Sequence, residues 1–132
     1  MNHQMDGVRI YSTPEGWEIL VGKTARDNDH LSLKIGKAND FWFHVAGMPG
    51  SHVVARHADR PTHCPKEIKK LCGGLAAHFS KAKNAGKTSI HWTTCKHVSK
   101  RSGAPAGQVI LKKFEKLMVE PIDPTAYFGG LS

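Results

Sequence analysis

Long apolar runs are missing from this 132-residue chain, and none approaches the roughly 18 residues that a membrane span needs. The N-terminus, Met1-Asn2-His3-Gln4-Met5-Asp6, has neither a basic nor an apolar signal region, so the expected location is the cytoplasm. Cysteine is scarce: Cys64, Cys72 and Cys95 are an odd set without Cys-x-x-Cys spacing. That argues against a disulfide framework or a zinc ribbon and for reduced structural thiols. There is no Walker loop, dinucleotide fingerprint, nucleophile elbow or His-x-x-x-His pair. No cofactor and no metal is therefore expected. The most informative absence is acid. Between Glu67 and Glu115 there is no Asp or Glu, while Lys69, Lys70, Lys81, Lys83, Lys87, Lys96, Lys100, Arg101, Lys112 and Lys113 all fall there. With a net charge of +8, this points to a polyanionic partner: nucleic acid first, an anionic membrane surface second. A solvated basic surface is the plainer alternative.

The length suits one domain with one core. Hydrophobic residues make up 39% and mean hydropathy is −0.40, yet five Phe, three Trp and repeated β-rich runs argue for a packed fold. Val8 to Ser12 and Trp17 to Gly22 read as a hairpin around Thr13-Pro14-Glu15-Gly16. Asn28 or Asp29 can cap a short helix, although Leu31, Leu33 and Ile35 fit a strand as well. Helical spacing of Ile68, Leu71, Cys72, Leu75, Phe79 and Ala82 predicts a long helix over about 65–83. Gly73-Gly74 inside it costs roughly 1 kcal/mol per glycine, which suggests close backbone packing. Thr88 to Thr94 alternates as a strand. Val109 to Lys112 and Lys116 to Glu120 read as a closing hairpin, and the residues after Pro121 as a peripheral tail. The order predicts an α+β domain with a mixed or antiparallel sheet, one long helix and one short helix.

The candidate site centres on residues 40–56. Phe41, Phe43 and Val45 alternate with Trp42 and His44, which places Trp42 and His44 on one strand face. Pro49-Gly50 suits a type II turn leading to a return strand from His52 to Arg56. Trp42, His44 and Arg56 then offer a platform on which RNA bases stack, with core burial of Trp42 as the competing reading. Gly50, Ser51 and His52 offer N–H groups and a hydroxyl to a phosphate. Lys96, His97, Lys100 and Arg101 lie in a glycine-containing loop suited to phosphate contact. His44 and His52, if they face each other, also suit proton transfer or metal binding.

These residues resemble a known signature. Asp40-x-Trp42-x-His44 followed by Pro49-Gly50-Ser51-His52 resembles the NFACT-R domain, the RNA-binding module of ribosome quality-control factors of the RqcH/NEMF/Tae group and of fibronectin-binding-like proteins. Val21-Gly22-Lys23, Asn28-Asp29-x-Leu31 with Lys34, Ala76-Ala77 with Ser80-x-Ala82, Val98-x-Lys100-x-x-Gly103-Ala104, and Val119-Glu120-Pro121 extend the likeness over about residues 7–121. Lys23 and Thr24 stand where the family has Arg and Asn, and Arg101, Pro105 and Ala106 depart from its basic loop. The resemblance implies an RNA-binding domain over 1–121 with a tail over 122–132, binding tRNA or the large ribosomal subunit without catalysis. The N-terminal and coiled-coil parts of long members do not fit in this chain, so their alanine-tailing activity is not carried over. Two further readings stay open: a histidine-dependent RNA-processing or hydrolytic enzyme, and a protein–protein adaptor.

Overall fold

A computed structural model describes residues 6–129. The N-terminal hairpin forms as expected from β1 (Val8–Ser12) and β2 (Trp17–Gly22). Then follow α1 (Ala25–His30), a π-helical turn (Leu31–Ile35), β3 (Phe41–Val45), β4 (Val53–His57) and α2 (Lys66–His78). The chain continues through β5 (Thr88–Thr94), β6 (Val98–Ser99), β7 (Ile110–Leu111), β8 (Glu115–Val119) and α3 (Pro124–Tyr127). Six strands make one antiparallel sheet in the order β1-β2-β4-β3-β5-β8, and β6 and β7 pair separately. The fold is α+β, with an antiparallel sheet.

Strand alternation sends two sets of side chains to opposite faces. Ile19, Val21, Phe41, Phe43, Val53 and Ile90 meet Ile68, Leu71 and Leu75 of α2 in the larger core. Leu20, Trp42 and Val54 face the other way and pack with Leu31, Cys95 and Val98. The sheet is thus covered by α2 on one side and, on the other, by the α1 region with the small β6–β7 sheet. All three cysteines are buried free thiols. Burial pushes the Cys64 and Cys95 thiols up to about 12 and raises Cys72 well above its ordinary value.

Several elements depart from the sequence reading, each for a local reason. The first helix is capped by Thr24, not by Asn28 or Asp29. Thr24 Oγ1 accepts from the Asp27 N–H at 3.1 Å and Asp27 Oδ2 accepts from the Thr24 N–H at 3.1 Å. This reciprocal pair satisfies two N-terminal donors and leaves the Asn28 side chain free to turn inward. The long helix stops at His78, short of 83, because Phe79 leaves helical geometry and Ser80 pairs with Gly50 as an isolated bridge. The β3–β4 connection is not a tight Pro49-Gly50 turn. Its positive φ sits at Gly47 (+72°), and Gly50 is held against Ser80. The expected closing hairpin does not form, since β7 pairs with β6 while β8 pairs with β5. Among the described residues, the segment 122–128 packs against α2 and β1. The Ile122 N–H donates to the Gly74 carbonyl at 2.9 Å, and Phe128 stacks on Tyr11 with centroids 5.0 Å apart.

Candidate nucleic-acid interface

The pairing register lines up imidazoles across the middle of the sheet. His44 on β3 is opposite His91 on β5, and His91 is opposite Lys116 on β8. On the other side of His44, the His52 ring lies 5.0 Å away, centroid to centroid, just before β4 begins. These rings project on the Trp42 face of the sheet, as the alternation of β3 requires. That face is only partly covered, so His44 and His91 are half-buried while His52 is 1% exposed.

His52 is fixed on several sides. Its Nδ1 lies 2.7 Å from Ser32 Oγ, and Trp42 Nε1 donates to the same oxygen at 2.8 Å. Indole N–H is only a donor, so Ser32 accepts from Trp42 and is free to donate its own proton to His52. That chain satisfies all three groups when His52 is neutral with its proton on Nε2. The His52 N–H donates to Asn28 Oδ1 at 3.0 Å, and Asn28 Nδ2 donates to the Gly50 carbonyl at 3.2 Å. Gly22 has to be glycine here, because a Cβ would run into Asn28 Oδ1. Burial lowers the His52 pKa to about 3, with neighbouring His44 adding to the shift. Burial likewise lowers His44 to about 4, with His91 contributing. Both rings are neutral at physiological pH.

These contacts give Trp42, Gly50, Ser51, His52 and Lys100 surroundings other than those the sequence reading expects. Trp42 is 1% exposed with its N–H engaged, so it forms the floor of the site and offers no open face to a base. Ser51 is buried, its hydroxyl donates to the Gly22 carbonyl at 2.7 Å, and its N–H donates to the Phe79 carbonyl at 3.0 Å. With the His52 N–H also taken, the Gly50-Ser51-His52 stretch is not a phosphate nest. Lys100 is spent internally: its Nζ lies 3.0 Å from Asp29 Oδ2 and donates to the Pro105 and Gln108 carbonyls at 2.6 and 2.9 Å. Asp29 Oδ1 also accepts from the Gly107 N–H at 3.0 Å. Lys100 and Asp29 thus staple the basic loop to α1.

Above the floor opens a groove of about 1090 Å³. His44, Pro49 and Gly50 line it together, as the motif suggests, with Ser51 and His52 behind them. Arg9, Lys23 and Lys81 bring positive charge to its walls, and among the described residues no carboxylate lines it. Arg9 Cζ sits 4.7 Å from the Phe79 ring centroid, so its guanidinium is held by a cation–π contact. The His91 ring lies 4.3 Å from that of Phe114, which is 44% exposed at the rim. The basic loop reaches the groove through residues 106–109 and not through its charges.

The remaining expected residues lie elsewhere. Arg56 points to the opposite end of β4, where its Nε pairs with Glu18 at 2.7 Å and it lines a different cleft. His97 lines a third groove with Lys69, Lys112 and Lys113. Lys96 and Arg101 are exposed and line none of these grooves. Arg9, Phe79, Lys81, His91 and Phe114 escaped the sequence reading as site residues. Lys81 carries a signal in the acid-free interval, and His91 in the alternation of its strand; Arg9 and Phe114 carry none that separates them from ordinary surface residues.

The family model described as the NFACT protein RNA-binding domain matches residues 7–113. The Rqc2 homolog RqcH of Bacillus subtilis is 34% identical over 114 residues, covering 86% of this chain and 19% of that protein. RqcH of Streptococcus suis is 35% identical over 105 residues, covering 80% of this chain and 18% of that protein. The chain thus spans about a fifth of the length of these curated relatives. A solved structure, the C-terminal part of the fibronectin/fibrinogen-binding protein from Streptococcus suis, superposes with a TM-score of 0.83 at 31% identity. That match covers 96% of this chain and 50% of the solved one. With residues 7–113 matched by the family model and two curated relatives above 30% identity, this chain belongs to the NFACT protein RNA-binding domain family.

Proposed function

We propose that this chain is a non-catalytic RNA-binding module of the cytoplasm, acting in ribosome quality control on tRNA or the large ribosomal subunit. The observation that carries the reading is the groove lined by Arg9, Lys23 and Lys81 with no carboxylate among its described lining residues. Cations on a concave wall attract phosphates, and no acid opposes them there. Lys96 and Arg101 add long-range attraction from outside the groove. The names of the RqcH relatives supply the setting. Binding is favoured over histidine catalysis because His52 is enclosed and its Nδ1 is engaged, whereas a general base must reach the proton it takes. Among the described residues no helix is long and apolar enough to cross a membrane.

Titration of tRNA and of purified large subunits across a salt series tests this. Affinity should fall linearly on a log–log plot, and replacing Lys23 and Lys81 together with Ala should flatten the slope by about 1.4 if both touch single-stranded phosphates. Wild-type binding that ignores salt, or a double variant identical to wild type, contradicts the assignment.

A further inference from the structure

Phe114 occupies a position that a general basic surface does not explain. It borders the His44 groove and also the third groove, of about 590 Å³, on the far side of residues 112–114. It is 44% exposed, and the tilted His91 ring packs on its inner side with centroids 4.3 Å apart. The segment is pinned from behind, since the Lys112 N–H donates to the His97 carbonyl at 2.9 Å. Residues 112–114 are therefore a fixed ridge between two grooves. Both sides are basic. Arg9, Lys23 and Lys81 line the first groove, and Lys69, Lys112 and Lys113 the second, where Glu115 is the one carboxylate among the described lining residues. Lys69 Nζ lies 4.3 Å from the Trp92 ring centroid, which holds that charge at the groove wall.

We propose that an unpaired RNA strand crosses this ridge, with one base stacked on Phe114 and its phosphates held by the cations of the two grooves. The inference rests on the RNA-binding reading above and specifies the form of RNA recognised. A base has to leave its helix to lie on an isolated ring, and single-stranded sites combine basic tracks with such aromatic platforms. A paired A-form helix keeps its bases stacked on one another, so it gains nothing from Phe114.

Fluorescence anisotropy with a short unstructured RNA and with the duplex of the same strand tests the ridge. Phe114→Ala should weaken single-strand binding about tenfold, in line with one lost base stack, and leave duplex binding unchanged. Phe114→Trp should restore the single-strand affinity. Lys112→Ala with Lys113→Ala should lower the log–log salt slope by about 1.4. Equal binding by wild type and Phe114→Ala overturns the ridge while leaving the RNA-binding reading intact, as does an equal loss on both RNAs. Loss of a protein partner in Phe114→Ala with RNA affinity unchanged also overturns it. A wild-type protein that binds no RNA overturns both readings.

Discussion

His44 and His52 are held neutral by burial, and that neutrality has a cost at low pH. Their pKa values lie at about 4 and about 3 in the fold, against 6.5 for a free imidazole. Below pH 6.5 the unfolded chain takes up protons that the folded chain refuses, so stability falls with pH. The loss continues until His44 charges in the fold at about 4 and His52 at about 3. Each refused proton contributes a slope approaching about 1.4 kcal/mol per pH unit. Urea midpoints should therefore drop from pH 6.5 towards 4, and His44→Gln should make the drop shallower. A variant with the same pH dependence as wild type would contradict this account of His44. Alternation along β3 makes it plain in the sequence that Trp42 and His44 share a face. It cannot say that Leu31 and Ser32 pack on that face, because the 28–35 stretch reads equally well as helix or strand until its partners are known. That is why Trp42 is floor and not platform.

At the scale of elements, the glycine pair in α2 is where helix propensity yields to packing. A Cβ on Gly74 would lie 2.5 Å from Ile122 Cδ1 and Cγ1 and 2.9 Å from its Cβ. One on Gly73 would lie 3.3 Å from Val119 Cγ2. The bare turn lets the chain after β8 lie directly on α2 and bond to the Gly74 carbonyl. Gly74→Ala gains roughly 1 kcal/mol of helix propensity, but overpacking against Ile122 costs about 1–3 kcal/mol. Net destabilisation is expected in urea melts, and adding Ile122→Ala should recover part of it. A more stable single variant would contradict the close fit. The presence of α2, the N-terminal hairpin and the central strand pair is readable from periodicity alone. The end of α2 is not, because Phe79 and Ser80 leave the helix to meet residues 50 and 51, a contact distant in sequence. The fate of β7 and β8 is hidden for the same reason: short runs look like a hairpin, yet their partners are β6 and β5.

Over the whole molecule, the uneven charge is the part of the function most visible in the sequence. The acid-free interval supplies Lys81 to one groove and Lys69, Lys112 and Lys113 to the other. Arg9 and Lys23 come from outside it and join only because β1 and β2 fold against the central strands. Lys100 shows the converse: a lysine in the basic loop that serves as a brace to Asp29. The three free thiols, finally, make the chain its own stability gauge. Thiolate is the nucleophile that attacks alkylating reagents, and burial keeps all three protonated and out of reach. Labelling then waits for the fold to open, and its rate measures that opening. Cys72 sits on the sheet-facing side of α2 and Cys95 in the opposite layer, so each reports on one side of the sheet. Mass spectrometry of timed labelling should find Cys72 the last to react. Early modification of Cys72 would contradict this order. If Cys95 reacts well ahead of it, the layer flanking the His44 groove breathes while the α2 layer stays closed; equal rates would mean that the two layers open as one.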